Sequence, residues 1–445
     1  MRITVIGAAK SGLAAALLAK KEGHNVFMTE SKSKDEFKET VSKLDEAGIE
    51  AEFGGNTQKA LDDTDLIITS PGVPPTAAII QSAEQKGLKI ISELEFASQR
   101  LNNPIIAITG TNGKTTTTTL TTYILEQSGK KAVSVGNIGT PLSALVGEVS
   151  SDTIIVVEVS SFQLDRIDTF CPDVAAILNI TPDHLYYHGT MEKYIEAKFK
   201  ISKNQNENNL LILNFDDGAT RNFASITKAR VAGFSMTPLP EGIYGRDGSM
   251  IIKLSQEHKE EEIMLFKEIA IPGVHNAYNS MAAALAVRAF EIRNENIRDC
   301  LCRFSGVEHR LEKVRILDEV LYVNDSKATN VNATWFALQS YNEPIVWIAG
   351  GRGDNNDYSA LDEFVGRNVK AIVAIGEEAD AIFNHFCTQV RCIRQDSMEA
   401  AIDTSRIIAE PGDVVLFTPA CKSFDMFVNF EHRGEVFKDI VNSLT

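Results

Sequence analysis

Short apolar runs rich in β-branched residues recur along the chain, and helical stretches with apolar positions three and four apart separate them. In the first hundred residues the runs fall at 3–6, 26–28, 66–68 and 90–91. A second series lies at 105–108, 132–135, 154–159 and 174–178, and a third at 321–323, 345–349, 372–375 and 414–417. A strand that is apolar without alternation is buried on both faces, so this order predicts mostly parallel sheets covered by helices, an α/β fold. Breaks at Asn102-Asn103-Pro104 and near Gly306 predict three domains, 1–100, 101–306 and 307–445, as suits a 445-residue chain too long for one core.

Between the first two runs, Gly7-Ala8-Ala9-Lys10-Ser11-Gly12 forms a glycine-bearing turn that opens a helix, and Glu30, Ser31 and Lys32 follow the second run. The unit is similar to a dinucleotide-binding βαβ fold, which keeps a nicotinamide-dependent oxidoreductase in view. Ala9 stands where the second glycine of that fingerprint belongs, which counts against it. What the pattern retains is a helix N-terminus that can receive a phosphate, with strand-end residues placed to hold a ribose or uracil. An ordinary strand-to-helix turn is the alternative.

The run at 105–108 leads into Thr109-Gly110-Thr111-Asn112-Gly113-Lys114-Thr115-Thr116, then a helix with Leu120, Tyr123 and Ile124 on one face. This is the setting of a phosphate cradle. Glycines let backbone N–H groups turn toward an anion, Lys114 can reach the terminal phosphates, and the Thr115 hydroxyl can ligate magnesium. The usual loop would place glycine at 108, where Ile108 stands, so the match is to a variant. Glu158 closes the apolar run at 154–157; a carboxylate is costly in a core but well placed at a strand end beside phosphates, so magnesium is assigned to it with Thr115. A helix-capping glutamate is the competing reading.

Residues 191–201 read as a helix in which Met191, Tyr194, Ile195 and Lys198 share one face. Lys198 thus points with the apolar stripe. Burial lowers a lysine pKa, and a neutral amine can take up carbon dioxide to become an anionic carbamate, a ligand for a second magnesium. On the residue pattern alone, a lysine snorkelling from the helix edge is preferred. His184, in Thr181-Pro182-Asp183-His184, is a candidate ligand for that metal, although a lone histidine is more often structural.

Composition narrows the partners rather than the fold. A formal net charge of -16 disfavours nucleic acid and anionic membrane surfaces, so an anionic ligand must be held by local groups. The six cysteines form no metal-spaced pair, which suits a reducing cytosol. Met1 runs into the first strand without an export signal, and no stretch is apolar enough to span a membrane, so a cytoplasmic location is expected. The acidic run Glu260-Glu261-Glu262 reads as a solvated face.

The loop 110–116, Gly136-Asn137-Ile138-Gly139, Glu158-Val159-Ser160-Ser161-Phe162-Gln163-Leu164, Asp183-His184, the helix carrying Tyr194 and Lys198, His275-Asn276-Ala277-Tyr278-Asn279, His309-Arg310-Leu311-Glu312 and Asn324-Asp325-Ser326-Lys327-Ala328-Thr329-Asn330 occur in the order seen in Mur ligases. The chain resembles that family over nearly its whole length; the loop alone is also similar to folylpolyglutamate synthetases. The run Ser326 to Asn330 and Pro419-Ala420-Cys421 with Ser423-Phe424-Asp425 resemble the D-glutamate-adding member.

The resemblance implies a Rossmann-like first domain that binds a UDP-substrate, a P-loop ATPase-like central domain and a Rossmann-like C-terminal domain that brings the amino acid. It implies an ATP-dependent ligase adding D-glutamate to UDP-N-acetylmuramoyl-L-alanine through an acyl phosphate, with two magnesium ions, in peptidoglycan precursor synthesis. The expected catalytic residues are Lys114, Lys198 and His184. Gly110, Thr111, Asn112, Gly113, Lys114, Thr115, Thr116, Asn276, Asn279, Arg310, Asp325 and Lys327 would bind ATP. Thr115, Glu158, His184 and a carbamylated Lys198 would hold metal. Lys10, Ser11, Ser31, Lys32 and Asn137 would meet the UDP-substrate, with His184 beside Asn137, and Thr329, Ser423 and Phe430 would meet D-glutamate. The chain is expected to act as a monomer with a hinge near Gly306, binding neither nucleic acid nor membrane. Two positions depart from the family pattern: Asp354 stands where a cation often grips the incoming carboxylate, with Arg352 displaced and Lys422, beside Ser423, a further candidate cation, and Tyr186 stands where aspartate is frequent. Another Mur ligase, a folylpolyglutamate synthetase and a non-catalytic nucleotide switch are the remaining alternatives.

Overall fold

The computed structural model describes residues 1–137, 139–255, 259–353 and 356–445. The chain forms two compact units, one of residues 1–268 with 278–302, the other of residues 269–277 with 303–445. The first unit holds two sheets and the second holds one.

The first sheet has strands β1 (Arg2–Ile6), β2 (Asn25–Glu30), β3 (Glu50–Phe53), β4 (Leu66–Thr69) and β5 (Lys89–Ser92), all parallel, in the order β3-β2-β1-β4-β5. The second sheet comprises β6 (Ile105–Thr109), β7 (Ala132–Gly136), β8 (Ile154–Glu158), β9 (Val174–Ile177), β10 (Leu210–Asn214), β11 (Arg230–Ser235), β12 (Gly242–Arg246), β13 (Ser249–Lys253) and β14 (Glu261–Leu265). Its order is β14-β13-β12-β11-β10-β9-β6-β8-β7, parallel except where β13 runs against both neighbours. The third has β15 (Glu312–Leu317), β16 (Val320–Asn324), β17 (Ile345–Gly350), β18 (Val369–Ile375), β19 (Arg391–Arg394) and β20 (Val414–Phe417) in the order β15-β16-β20-β17-β18-β19, with only β15 antiparallel. The expected α/β class with mostly parallel sheets holds. Strands β6, β8 and β9 are buried at every residue, which is why they read as unbroken apolar runs; β10 is buried throughout as well, although the sequence reading did not pick out its run at 210–213.

The second sheet fixes where chemistry can occur. From β6 the chain crosses by helix Lys114–Gln127 to β7 at the sheet edge, returns through β8 on one side of β6, and then continues in β9 on the other. Strand order therefore reverses at β6, and the crevice beyond its C-terminal end is the natural ligand position of a parallel sheet.

The two sheets of the first unit are joined through the short buried helix Glu93–Ser98. The Glu95 carboxylate accepts hydrogen bonds from the backbone N–H groups of Asp168, Thr169 and Phe170 at 2.9 Å each and from the Thr169 hydroxyl at 2.6 Å. Burial opposes ionisation of Glu95, but these donors prevail and hold its pKa below the usual carboxylate value. A carboxylate with a lowered folded pKa stabilises the protein above its unfolded pKa, and that contribution disappears as pH falls through the folded value. Glu95→Gln is therefore expected to lose roughly 3 kcal/mol near neutral pH, with the gap to the parent narrowing in acid. Chemical denaturation at several pH values tests this, and a constant gap would refute the ionic clamp. No helix among the described residues is long and apolar enough to cross a membrane.

Candidate functional site

The loop after β6 is built as a cradle before any ligand is considered. Helix Lys114–Gln127 starts from Gly113, whose φ of 85° lies in the left-handed region, and a Cβ there would stand 2.2 Å from Asn279 Oδ1. Glycine is thus required by both backbone and space. The segment after β9 holds the loop from beside: Thr111 N donates to Asn179 O at 2.9 Å, Asn112 N to Asn179 Oδ1 at 2.8 Å, and Thr181 N to Thr111 Oγ1 at 3.0 Å. Tyr194 Oη lies 3.0 Å from the same Thr111 hydroxyl. Asn279 accepts a bond from Thr117 Oγ1 at 3.3 Å. Gly110, Thr111, Asn112, Gly113 and Asn279 are therefore one assembly, with Thr115 and Thr116 buried in the first turn of the helix. Asn179, Thr181 and Thr117 were not picked out from the sequence.

Two lysines meet at this loop. Lys114 Nζ donates to Gly110 O at 2.9 Å and Thr111 O at 2.8 Å, while Lys198 Nζ donates to the same Gly110 O at 2.8 Å. Lys198 is 2% exposed, on helix Met191–Phe199, so the snorkelling reading is corrected: the aliphatic stem does not carry this ammonium to water. Burial and the like charge of Lys114 push its pKa well below the ordinary lysine value, against weaker support from Asp183 and Glu158.

Glu158, at the end of β8 in register with Ile108 of β6, is 2% exposed. Asn137 Nδ2 donates to its Oε1 at 3.0 Å; its Oε2 has no hydrogen-bond partner among the described residues. A buried carboxylate oxygen without a donor is costly, and a divalent cation beside the phosphate loop would satisfy it. The helix-capping alternative is excluded, since Ser160 with Gln163 caps helix Ser161–Asp165 in a reciprocal box. Asn137 thus serves Glu158 directly, a role that the sequence did not suggest.

His184 has a left-handed backbone with φ of 53°, and its ring lies 4.9 Å from that of Phe162. Its Nε2 is 3.5 Å from Asp183 Oδ2. Among the described residues no three His, Cys, Asp or Glu side chains gather at one point, so any metal here must take ligands from Thr115, a modified Lys198 or substrate oxygens as well. His188 was missed: it is buried, 2.9 Å by Nε2 from Ser161 Oγ, stacked against Phe162, and held neutral-leaning by burial. Tyr186, one of the two departures, is exposed beside His184.

In the first sheet the turn after β1 is organised by Glu30. Its carboxylate accepts from Ala8 N at 2.8 Å, Lys32 N at 3.0 Å and the Ser31 hydroxyl at 3.2 Å. A Cβ on Gly12 would meet Gly7 O at 1.9 Å, so that glycine serves close packing of helix on strand. Lys10 lines a cavity of about 530 Å³ together with Leu13, Leu17, Thr140, Pro141 and Ser143, which brings it beside the turn that follows Asn137. Ser11, Ser31 and Lys32 do not line that cavity. Ile138 lies outside the described residues.

The second unit holds the remaining candidates. Asp325, just past β16, is buried; Oδ1 accepts from Leu311 N at 3.1 Å and Oδ2 from the Thr418 hydroxyl at 2.9 Å. Burial raises its pKa to about 7 against the pull of Arg310. Lys327 Nζ lies 5.3 Å over the Phe430 ring, and Thr329 N donates to Lys327 O at 2.9 Å, so these three are neighbours. Ser423 is buried, and Asn276 donates to Pro272 O at 2.6 Å. Arg352, the displaced cation, is committed to Glu377 by two bonds of 3.1 and 2.9 Å; Asp354 lies outside the described residues.

Comparison with known proteins gives matches along the whole chain. The family descriptions "Mur ligase MurD-like, N-terminal domain", "Mur ligase middle domain" and "Mur ligase, glutamate ligase domain" match residues 1–92, 108–287 and 309–421. The UDP-N-acetylmuramoylalanine--D-glutamate ligase of Salinibacter ruber is 46% identical over 455 residues, covering 100% of this chain and 98% of the relative. The enzyme of the same name from Clostridioides difficile is 40% identical, covering 100% and 98%. Among solved structures, MurC of Thermotoga maritima is similar with a TM-score of 0.61 at 19% identity, covering 100% of this chain and 99% of that one. MurF of Acinetobacter baumannii gives 0.62 at 17% identity, covering 94% and 91%. At such identities the likeness is one of fold.

Proposed function

This chain belongs to the Mur ligase family, and on that premise we propose that it joins D-glutamate to UDP-N-acetylmuramoyl-L-alanine at the expense of ATP, in peptidoglycan precursor synthesis. The observation that carries the reading is the group at the end of β6: a glycine cradle, Lys114 at its mouth, and a buried Glu158 oxygen without a donor among the described residues. We place the UDP-substrate domain at 1–100, the ATP domain at 101–306 and the amino-acid domain at 307–445, in a monomeric cytoplasmic enzyme. Lys10, which lines the cavity, and Asn137, shortly before its lining residue Thr140, fit the UDP-substrate end.

An alanyl carboxylate is a poor electrophile, so its oxygen first attacks the terminal phosphate of ATP, giving an acyl phosphate and ADP. The D-glutamate amine then attacks the acyl carbon, and phosphate leaves as the amide forms. Backbone N–H groups of the 110–113 loop and the Lys114 ammonium hold the charge gathering on the phosphoryl group, which is positioning and electrostatics rather than covalent work. Magnesium, when bound, would neutralise phosphate charge; Glu158 and Thr115 would hold one ion, and His184 with a carbamylated Lys198 a second. Thr329, Ser423 and Phe430 would hold D-glutamate.

Phosphate release with UDP-N-acetylmuramoyl-L-alanine, ATP, magnesium and a panel of amino acids tests the proposal. Release only with D-glutamate is expected. Release with a diamino acid or a folate would reassign the chain within its wider group, and none with any acceptor would favour a nucleotide switch.

A further inference from the structure

Arg433 was not among the candidates, yet it is one of the largest fully buried side chains, 1% exposed on helix Phe430–Ser443. Its Nε donates to the Ser326 hydroxyl at 3.0 Å and its Nη2 to Ser326 O at 2.7 Å. The Ser326 hydroxyl in turn donates to Phe430 O at 2.8 Å. One guanidinium therefore ties the turn after β16, which carries Lys327 and Thr329, to the helix start that carries Phe430. The planar fork suits this: two donors in fixed geometry meet two oxygens of one residue, which an ammonium cannot copy.

The third arm is different. Nη1 is buried without a hydrogen-bond partner among the described residues, and a Cβ on Gly351, at the end of β17, would stand 3.0 Å from it. The carboxylates facing the guanidinium are Asp325, already bonded to Leu311 and Thr418, and Asp425, whose Oδ2 accepts from Glu377 N. Asp425 Oδ1 is likewise buried without a hydrogen-bond partner among the described residues. Nη1 is thus an unused donor of a buried cation where the strand ends of β16, β17 and β20 converge, and an arriving anion is the group that gains from it.

We propose that Arg433 is a positioning residue that sets affinity for the acidic amino acid: it fixes the Ser326 turn against Phe430, and its buried charge favours a carboxylate among Thr329, Ser423 and Phe430. This rests on the D-glutamate ligase reading above.

The test is steady-state kinetics on the full chain carrying Arg433→Lys, with a thermal melt alongside. The Michaelis constant for D-glutamate should rise about tenfold or more, those for ATP and UDP-N-acetylmuramoyl-L-alanine should stay within about threefold, and the melt should move little. Ser326→Ala, which leaves the guanidinium but removes its link to Phe430, should raise the D-glutamate constant in the same selective way, and it decides the matter if Arg433→Lys does not fold. Equal rises for ATP and D-glutamate, or a fall in kcat with the D-glutamate constant unmoved, overturn the proposal. A parent enzyme without D-glutamate-dependent turnover would sink the functional reading and this one together, whereas normal parent turnover with unselective variants sinks this one alone.

Discussion

Lys114→Met is expected to lower kcat by about a thousandfold at saturating ATP while leaving the fold intact, the scale of losing one preorganised donor to developing charge. The lysine is poised rather than structural: its ammonium rests on Gly110 O and Thr111 O, both at the lip of the cradle. The loop does not depend on it for shape, because Asn179 and Thr181 bond its backbone and hydroxyl, and Gly110 O keeps its bond from Lys198. Methionine retains much of the stem and removes the charge. Rapid-quench measurement of acyl-phosphate formation with a melting curve checks this; more than about a tenth of parent activity in a folded variant would remove Lys114 from the phosphoryl-transfer step.

Lys198→Ala should cost at least about a hundredfold in activity, in the range of losses at metal-supporting positions, and short carboxylic acids should restore part of it. The argument starts from burial: this amine sits beside Lys114 and within reach of Glu158 and Asp183, and its pKa is pushed well down. A group with a lowered pKa is neutral above that value, so carbon dioxide capture is favoured on the alkaline side and lost as pH falls through it. Carbamylation would exchange a repelled cation for an anion facing the metal position. Acetate or formate can stand in for that anion in the space alanine leaves. Unaltered activity in the variant without added acid would end this role.

Most strands buried on both faces were readable, because nothing but unbroken apolar sequence fits there: each run noted from the sequence lies within or touches a strand, while β10, buried throughout, was passed over. Glu50–Phe53 escaped notice because Glu-Ala-Glu-Phe at a sheet edge is mostly half-exposed and carries little apolar signal. The edge strands β14 and β15 were hidden for a similar reason, polar positions of each being exposed on the margin of a sheet. At the site, Gly110 to Thr116 were legible since phosphate chemistry needs those types at that spacing. Asn179 and His188 were not, because their partners are distant in sequence and near only in the fold. Arg433 could have been found: with Phe437 and Val441 it occupies i, i+4 and i+8 of one buried stripe, the same signal that marked Lys198.

The Glu95 carboxylate and the loop that donates to it have a bearing on how such enzymes can be recombined. A chimera that takes a foreign first sheet and is cut at residue 100 would import the anion but leave its three amide donors at Asp168, Thr169 and Phe170 to the host. Swapping specificity between relatives by exchanging that portion therefore demands that residues 168–170 travel with it, or that the seam be redesigned around a neutral side chain.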